Sequence, residues 1–397
     1  MTMSEPGKSD LPLAGVTVVD LTVNIAGPFA SLILHDLGAR VLKVEPPHGD
    51  DARHWPPFVE DAGTAFVAFN RGKESVAVDA KRPEGRDVVL RLVERADVFL
   101  ESLRPGKAAA LGLAWEDLGR VNPHLVYCSV NAFGDVGPLA GVAGFDAIVQ
   151  AHSGIMDLTG YPDGDPCRVG TAMLDVGTGM WAAIAVLAAL LEPDSSRRGG
   201  RVQATLLGTA VGYLMHHLVA ARLTGAAPRR LGTAQHNFAP YQAIHAKDGM
   251  VMVGVNSDRM WQRFCAAVGS TSLADDPRFA SNVGRLRARD ELIAAIEAVT
   301  TRITAVELVE RLSAVGVPAS VVRPVTALVD DPQVDALGLW ADAGDGPTVP
   351  RIPVDAAASS VGAVPRIGEH TGEALTAAGM SAAEIARLAA DGVLATG

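Results

Sequence analysis

A lone carboxylate at the start of an apolar segment is the first candidate for chemistry in this sequence. Asp175 directly precedes residues 176–191, a stretch without any charge that is rich in Ala and Leu and predicts a buried helix. As an N-cap, Asp175 would accept hydrogen bonds from the first helical N–H groups, worth about 1 kcal/mol. As a nucleophile, it would be kept ionised by the same N–H groups and by the helix dipole. The position of this residue in the sequence leaves both roles open.

Three glycines surround this carboxylate and favour the second role. Gly170, Gly177 and Gly179 lie on either side of Asp175. Glycine has no side chain, so a backbone rich in glycine lets a ligand come close. Their N–H groups are also candidates for stabilising an oxyanion. The segment therefore predicts a carboxylate that faces a ligand.

The elements that must position Asp175 come from an alternation of strands and helices. Residues 16–21 and 41–45 are β-branched strands, and residues 28–37 between them predict a helix. Such a βαβ unit favours a parallel sheet, and further strands at 75–78, 98–101, 125–130 and 201–205 extend it into an α/β domain. The first strand–helix turn reads TVNIAGP and lacks the GxGxxG fingerprint of dinucleotide-binding proteins.

A second, smaller α+β domain is predicted after residue 221. The expected division is a large domain over 1–221, a linker over 222–237, a small domain over 238–322, and a return to the large domain over 323–397. A hairpin turning at residues 247–249 and helices at 258–268, 287–300 and 304–314 make up the small domain.

Composition and charge exclude several classes of protein. With 48% hydrophobic and 20% charged residues the chain is globular, and its net charge of -11 argues against a nucleic-acid partner. Residues 204–221 are apolar but contain two histidines, so we expect a helix buried in protein and no membrane span. Three scattered cysteines without zinc-type spacing predict reduced thiols, a cytoplasmic location and no metal site.

Segments such as PLAGVTVVDLT, FNRGKESVAVDAKRPEGR and GFDAIVQAHSGIMDLTG, spread from about residue 13 to residue 393, resemble those of family III CoA-transferases. This family includes the formyl-CoA, carnitine and bile-acid CoA-transferases, and α-methylacyl-CoA racemases are related to it. The matching segments include PLAGVTVVDLT, LGARVLKVEPPHGDDAR, FNRGKESVAVDAKRPEGR, ADVFLESLRPG, GFDAIVQAHSGIMDLTG and PRIGEHTGEAL. Each is weak alone, but their common order is specific.

The resemblance implies both a fold and a site. It implies a Rossmann-like large domain built from both termini, a smaller inserted α+β domain, and a homodimer of two chains interlocked as rings. It also implies that Asp175 is the catalytic residue. The CoA-binding residues that it implies are Ile25, Ala26, Asn70, Arg71, Gly72, Lys73, Ser102, Leu103, Arg104, Ala143, Gly144, Phe145 and Asp146. Among these, Arg71, Lys73 and Arg104 are candidates to neutralise the CoA phosphates, with solvated surface cations as the alternative.

Two departures from the family pattern bear on the activity. Ser102-Leu103 stands where many relatives have Asn-Phe, and Phe145 stands where the racemases have a histidine. Phenylalanine cannot transfer a proton, so racemisation is disfavoured unless another histidine, such as His152, takes part.

The resemblance therefore implies an acyl-CoA:carboxylate CoA-transferase that works through an aspartyl mixed anhydride and an aspartyl-CoA thioester. Its partners would be an acyl-CoA donor and a carboxylic acid acceptor, with CoA as a substrate and no tightly bound cofactor. The alternatives are a racemase or epimerase of the same superfamily, and a non-catalytic CoA-binding protein. The retained Asp175 argues against the latter.

Overall fold

The computed structural model describes residues 11–191, 199–226, 228–355 and 361–397. Its strands, in chain order, are β1 (Thr17–Leu21), β2 (Arg40–Glu45), β3 (Phe58–Val59), β4 (Ala62–Gly63), β5 (Glu74–Val78), β6 (Val98–Glu101), β7 (Val126–Asn131), β8 (Gly200–Thr205), β9 (Tyr241–His245), β10 (Met250–Gly254), β11 (Ala319–Val321), β12 (Trp340–Asp342), β13 (Thr348–Pro350) and β14 (Leu394–Ala395).

The helices alternate with these strands in the first half of the chain. In order they are α1 (Ala26–Asp36), α2 (Thr64–Asn70), α3 (Pro83–Val93), α4 (Lys107–Ala110), α5 (Trp115–Val121), α6 (Asp146–Ser153), α7 (Ile155–Leu158), α8 (Met173–Leu190), α9 (Leu206–Tyr213), α10 (Met215–Thr224), α11 (Asp258–Val268), α12 (Thr271–Asp275), α13 (Asn282–Arg287), α14 (Arg289–Thr300), α15 (Ala305–Ala314), α16 (Pro332–Ala336), α17 (Thr371–Ala377) and α18 (Ala382–Ala390). Short 3₁₀ turns form at Asp51–His54 and Val325–Leu328.

A seven-stranded sheet forms the centre of the larger unit. Its strand order is β14-β5-β2-β1-β6-β7-β8, and all neighbours are parallel except β14, which runs antiparallel to β5. The chain builds outward from β1 to one edge through β2 and β5, then returns and builds to the other edge through β6, β7 and β8. The order therefore reverses between β1 and β6, which is where open α/β sheets bind ligands.

Both faces of this sheet are covered by helices. Alternate residues of β6 and β7 point to opposite faces, so that Leu100 and Cys128 pack under α1 and α8 while Phe99 and Tyr127 pack on the side of α3 and α5. Burial on both faces explains why the strands read as near-continuous apolar runs.

The chain divides into two compact units. The first comprises Met1–Ile155, Val169–Thr224 and Pro332–Gly397, and the second comprises Met156–Arg168 and Gly225–Asp331. The second unit has its own core around Trp261 and a three-stranded antiparallel sheet in the order β11-β10-β9. The short segment Met156–Arg168 belongs with the second unit, whereas the sequence assigned it to the first.

One prediction about burial is wrong. The apolar residues 204–221 form the end of β8 and two helices, α9 and α10, and no residue of α10 is buried within the chain. Helix α8 is long and apolar enough to cross a membrane by length and composition, but only 39% of it is buried. Helices α8 and α10 therefore both leave apolar side chains uncovered by this chain.

Candidate active site

A cleft of about 490 Å³ lies at the carboxyl ends of the strands where the sheet order reverses. Its walls come from the segments that follow β1, β6 and β7, and Asp175 of α8 lies in its lining. This volume is in the range of small-molecule sites. The residues that line it are Val23, Asn24, Ala26, Asp51, Trp55, Ser102, Leu103, Arg104, Pro105, Lys107, Val130, Asn131, Ala132, Val142, Ala143, Gly144, Phe145, Asp175 and Leu206. We call it the Asp175 cleft.

Asp175 lies inside the first turn of α8 rather than ahead of it. The helix begins at Met173, and its N-cap position is taken by Ala172, which makes no side-chain cap hydrogen bond. The sequence placed the start three residues too late because Gly177 and Gly179 resemble a turn. In the structure both glycines are helical and buried. Of the two roles left open for Asp175, the N-cap role is therefore excluded.

The carboxylate that caps α8 belongs to Asp146. Its Oδ2 accepts hydrogen bonds from the N–H groups of Leu174 at 2.7 Å and Asp175 at 3.2 Å. Its Oδ1 accepts one from Gln150 Nε2. Asp146 is only 6% exposed, so its side chain is engaged with protein groups and faces α8. A direct contact from this carboxylate to CoA, which the resemblance implied, does not fit this arrangement.

Burial and charge change the acidity of Asp175. Desolvation by burial, together with the negative charge of Asp146 nearby, raises the pKa of Asp175 to about 7. The carboxylate that would attack a ligand is thus poised near neutrality. A pKa raised in this way is a feature of functional carboxylates.

The glycines near Asp175 serve the packing of helices. A Cβ at Gly177 would collide with the Tyr213 hydroxyl on α9, and one at Gly179 would come within 2.6 Å of the Ala26 carbonyl oxygen on α1. Their N–H groups lie inside α8, where helical hydrogen bonds use them. The prediction that these two glycines supply oxyanion donors is therefore wrong. A Cβ at Gly170 would meet nothing within 4 Å, so the backbone there is open.

Seven of the residues implied to bind CoA share the cleft with Asp175. These are Ala26, Ser102, Leu103, Arg104, Ala143, Gly144 and Phe145. Ile25 is the residue just before α1 and is not among the lining residues. Phe145 is 64% exposed, so it is not a core side chain.

Ser102 joins two walls of the cleft. Its Oγ accepts a hydrogen bond from the Val23 N–H at 2.9 Å, which connects the segment after β6 to the segment after β1. Its neighbour Leu103 donates its N–H to the Glu101 carboxylate at 2.8 Å. Ser102, one of the two residues that depart from the Asn-Phe pair, thus bonds to the segment that follows the adjacent strand β1.

The segment from Asn70 to Lys73 is placed differently from the expectation. Arg71 is 0% exposed and forms a two-pronged ion pair with Asp36, with both N···O distances at 2.8 Å. Lys73 is 2% exposed and donates to Asp20, Pro28 O and Asn70. Both cations are therefore paired inside the protein, and the proposed role of their side chains in neutralising phosphates loses its physical basis. Arg104, by contrast, is exposed in the cleft lining.

Several cleft residues were not predicted from the sequence. Asn24 has a positive φ of 67°, which is uncommon outside glycine and marks a sharp turn after β1. Trp55 and Asp51 come from the polar loop after β2, and Lys107 begins α4. The Trp in a stretch otherwise made of Pro, Gly and charged residues was a usable signal, because aromatic residues in polar loops often contact ligands.

The candidate histidine for proton transfer lies elsewhere. His152 is exposed on α6, its ring packs edge-on against Phe133 with centroids 5.3 Å apart, and it does not line the Asp175 cleft. Among the residues that the structure describes, no three His, Cys, Asp or Glu side chains come together in a group that could hold a metal ion.

A cleft at the reversal point of a parallel sheet, lined by a carboxylate of raised pKa in the first turn of α8, is the arrangement of a ligand-binding α/β protein. The sequence model of CoA-transferase family III matches residues 13–371, most of the chain. The chain belongs to this family and is a CoA-transferase.

Individual relatives agree with this assignment. The chain is 38% identical over 379 residues to a succinate–glutarate CoA-transferase of Agrobacterium fabrum, which covers 92% of this chain and 95% of that protein. It is 37% identical over 356 residues to an acetyl-CoA:oxalate CoA-transferase of Acetobacter aceti, covering 89% and 91% of the two chains. The crystal structure of a CAIB/BAIF family protein from Brucella suis is similar at a TM-score of 0.85 with 36% identity, covering 93% of this chain and 99% of that one.

Proposed function

We propose that this enzyme transfers CoA from an acyl-CoA donor to a carboxylic acid acceptor, with Asp175 as the nucleophile. The observation that carries the proposal is the position of Asp175: a largely buried carboxylate of raised pKa on the wall of a ligand-sized cleft. Its relatives named above act on CoA thioesters of carboxylic acids, as their names state. CoA is then a substrate, and no tightly bound cofactor is required.

The reaction proceeds in four balanced steps. The Asp175 carboxylate attacks the thioester carbonyl, the C–S bond breaks, and CoA leaves as the thiolate while a mixed anhydride forms. The thiolate then attacks the aspartyl carbonyl and releases the donor acid as a carboxylate, which leaves an aspartyl-CoA thioester. An acceptor carboxylate attacks this thioester, and the released thiolate attacks the acceptor side of the new anhydride. Asp175 is regenerated, and no net proton is gained or lost.

Developing negative charge on the carbonyl oxygen needs donors, and the start of α1 supplies them. Ala26 lines the cleft, and no side chain caps the N-terminus of α1. The N–H groups of a first helical turn have no partner within the helix and carry partial positive charge. Pro28 has no N–H, so Ala26 and Gly27 are the candidate donors.

The CoA phosphates are proposed to lie near the exposed cations of the segment after β6. Arg104 and Lys107 both line the Asp175 cleft and are exposed. Apolar residues such as Val23 and Val142 line the same cleft as these cations and Asp175. A cleft that carries both cations and a candidate nucleophile can meet the two functional ends of CoA, its phosphates and its thiol.

We also propose the homodimer of interlocked chains that the family resemblance implies. Helices α8, α9 and α10 leave large apolar side chains exposed, and exposed apolar surface of this kind favours an interface. We call it the apolar face; it consists of Met180, Trp181, Ile184, Val211, Tyr213, Met215, Leu218, Val219 and Leu223. The three cysteines are free, in keeping with the proposed cytoplasmic location.

The test of the proposed function is a screen of acyl-CoA donors and carboxylate acceptors, followed by mass spectrometry of the protein. With donor alone, we expect an added acyl or CoA mass on the peptide that contains Asp175. Asp175→Asn should show no adduct and lose at least about 10³-fold in kcat, since the nucleophile is gone. Asp163→Asn, a change at an exposed carboxylate of the second unit, is the matched control and should leave both unchanged. Transfer retained in Asp175→Asn would overturn the nucleophile, and α-proton exchange without an acceptor would indicate a racemase.

A further inference from the structure

A cluster of buried charges lies beneath the Asp175 cleft. It consists of Asp20 at the end of β1, Lys43 on β2, Asp50 in the loop after β2, and Lys73 just before β5. All four side chains are between 0% and 2% exposed. Two ion pairs connect them, Lys43 to Asp50 at 2.8 Å and Lys73 to Asp20 at 3.1 Å. We call these four residues the charge cluster.

The two lysines of the cluster contact the backbone on either side of one cleft wall. Lys43 Nζ donates to the carbonyl oxygen of Thr22, and Lys73 Nζ donates to that of Pro28 at 3.0 Å. The wall residues Val23, Asn24 and Ala26 lie between these two anchor points.

Asp20 strengthens the same connection. Its carboxylate accepts hydrogen bonds from the Thr22 N–H at 2.9 Å and from the Ser31 hydroxyl on α1. These hydrogen bonds, together with the one from Lys73 to Pro28 O, connect the first two turns of α1 to the sheet through Asp20. The first turn is also where the oxyanion donors are proposed. A charged group so deeply buried is stable only when its partners are in place, and therefore it fixes their geometry strongly.

A second cleft wall is connected to the same cluster. Asp50 Oδ1 accepts a hydrogen bond from the Ala52 N–H at 2.9 Å and caps the 3₁₀ turn that carries Asp51. Trp55 follows this turn, and both Asp51 and Trp55 line the cleft. The loop from Asp50 to Trp55 and the segment from Thr22 to Pro28 are therefore held in register by one set of buried charges.

We propose that Lys73 is a positioning residue for CoA transfer, acting through Asp20 and the first turn of α1 to hold the wall of the Asp175 cleft. The inference rests on the proposed function, because the wall that Lys73 positions is the one that would contact the thioester. It replaces the expectation that Lys73 binds a CoA phosphate. A displacement of about 1 Å in such a wall is enough to lower a rate about 100-fold.

The decisive experiment compares Lys73→Met with the double variant Asp20→Asn, Lys73→Met. The single variant leaves Asp20 buried without its ion-pair partner, so a loss of stability is expected there. The double variant removes both charges and should recover most of the lost Tm, while the bond to Pro28 O stays broken. We expect the double variant to keep kcat at least about 10-fold below wild type, with the Kd for CoA within about threefold.

Two outcomes would overturn the proposal. Recovery of kcat together with Tm would reduce Lys73 to a stabilising residue. A loss of CoA affinity that disappears with 3′-dephospho-CoA would make it a phosphate ligand instead. If neither variant folds, Ser31→Ala tests the same connection, because it removes the α1 hydroxyl that bonds Asp20. A lower kcat at unchanged CoA affinity supports the proposal there, and an unchanged kcat overturns it.

A readout without turnover separates this proposal from the proposed function. Trp55 is on the connected wall, so its fluorescence emission and its quenching by acrylamide should change in the double variant. The same comparison in a Trp55→Phe background, which removes one of the five tryptophans, should show no change. If wild type transfers no CoA from any donor, the proposed function fails, whereas an unchanged Trp55 signal contradicts the positioning role alone.

Discussion

Two carboxylates near the start of α8, Asp146 and Asp175, differ in their surroundings. Asp146 accepts N–H groups from the helix and from Gln150, so its negative charge is used by the protein. Asp175 lines the cleft, and burial beside Asp146 makes its ionisation unfavourable. A carboxylate in this state gains by forming an acyl bond, because the anhydride and the thioester are both uncharged on the aspartyl side. In the proposed mechanism, ground-state desolvation would therefore add to the reactivity of Asp175.

The raised pKa of Asp175 predicts that removing its charge stabilises the protein. The folded state binds this proton more tightly than the unfolded chain, whose carboxyl has the ordinary pKa of 3.8. The stability contributed by the proton is fully present below pH 3.8 and is lost as pH rises to about 7. We expect Asp175→Asn to be more stable than wild type at pH 8 by about 2 kcal/mol, after a discount for partial exposure, and equal to it near pH 4. Thermal unfolding at both pH values measures this; a variant that is less stable at pH 8 would contradict it.

Replacing Asp146 should change the pH dependence of transfer. Transfer needs ionised Asp175, so kcat/KM of wild type is expected to rise with pH through about 7. Asp146→Asn keeps an oxygen that can accept the Leu174 N–H but removes the negative charge that raises the pKa of Asp175. The acidic limb should therefore move to lower pH by at least about half a unit. Asp157→Asn in the second unit is the control, and an unmoved limb in Asp146→Asn would show that the charge has no influence.

The sequence singled out Asp175, which lines the cleft, but it did not reveal the buried ion pairs around the cleft, for a physical reason. A charge next to an uncharged helix is visible as a local pattern. The partners of Lys73 and Arg71, however, are Asp20 and Asp36, which are 53 and 35 residues away. Such ion pairs depend on how the strands assemble, so a sequence shows these cations as surface residues by default.

At the scale of single elements, two glycines of α8 allow this helix to pack closely against α1 and α9. Gly179 allows the α1 backbone to approach, and Gly177 leaves room for Tyr213 of α9. The same glycines hid the true start of α8 from the sequence pattern, because glycine is typical of turns and helix ends. The strands were easier to predict from the sequence than the start of α8. Residues 98–101 were predicted with the observed bounds, because a short apolar run between charged turns is typical of a buried strand.

Adding a methyl group to α8 should separate it from α9. Gly177→Ala places a Cβ against the Tyr213 hydroxyl and 2.9 Å from Thr209 Cγ2, so overpacking should destabilise the protein by about 1–3 kcal/mol. Tyr213→Phe removes the hydroxyl and should recover part of this loss in the double variant. Gly170→Ala is the matched control, because a Cβ there meets nothing, and its effect should stay within about 0.5 kcal/mol. Denaturant unfolding measures all four proteins, and equal losses for the two alanine variants would refute the packing argument.

At the scale of the whole molecule, apolar side chains that one chain leaves uncovered need a partner. The apolar face includes Trp181, 51% exposed, and Leu223, 78% exposed. The apolar composition of α8 and α10 was visible in the sequence and was taken as a sign of burial within the chain. An apolar sequence pattern identifies surfaces that are buried from water, but it does not show whether the same chain or a second copy covers them.

Charging the apolar face should prevent assembly. We expect wild type to be a dimer that persists at nanomolar concentration, since interlocked chains separate only when they unfold. Trp181→Asp places a carboxylate in the proposed interface and should yield monomer or unfolded protein. Sedimentation velocity at concentrations down to about 10 nM distinguishes a persistent dimer from monomer and from unfolded protein. Arg91→Asp, on the exposed surface of α3, is the control, and a folded wild-type monomer would contradict the proposed dimer.

The pairing of β14 with β5 sets the order in which the chain can be completed during synthesis. Leu394 and Ala395 pair with Val78 and Ala77, so the edge of the large sheet is finished by residues that come much later in the chain than β5. The second unit, made mostly from Gly225–Asp331, is complete in sequence well before those residues leave the ribosome. At about 5–20 residues per second, the 66 residues that follow take several seconds to be translated. During that interval β5 is an open strand edge on a nascent chain, and a deletion of β14 would leave that edge unpaired.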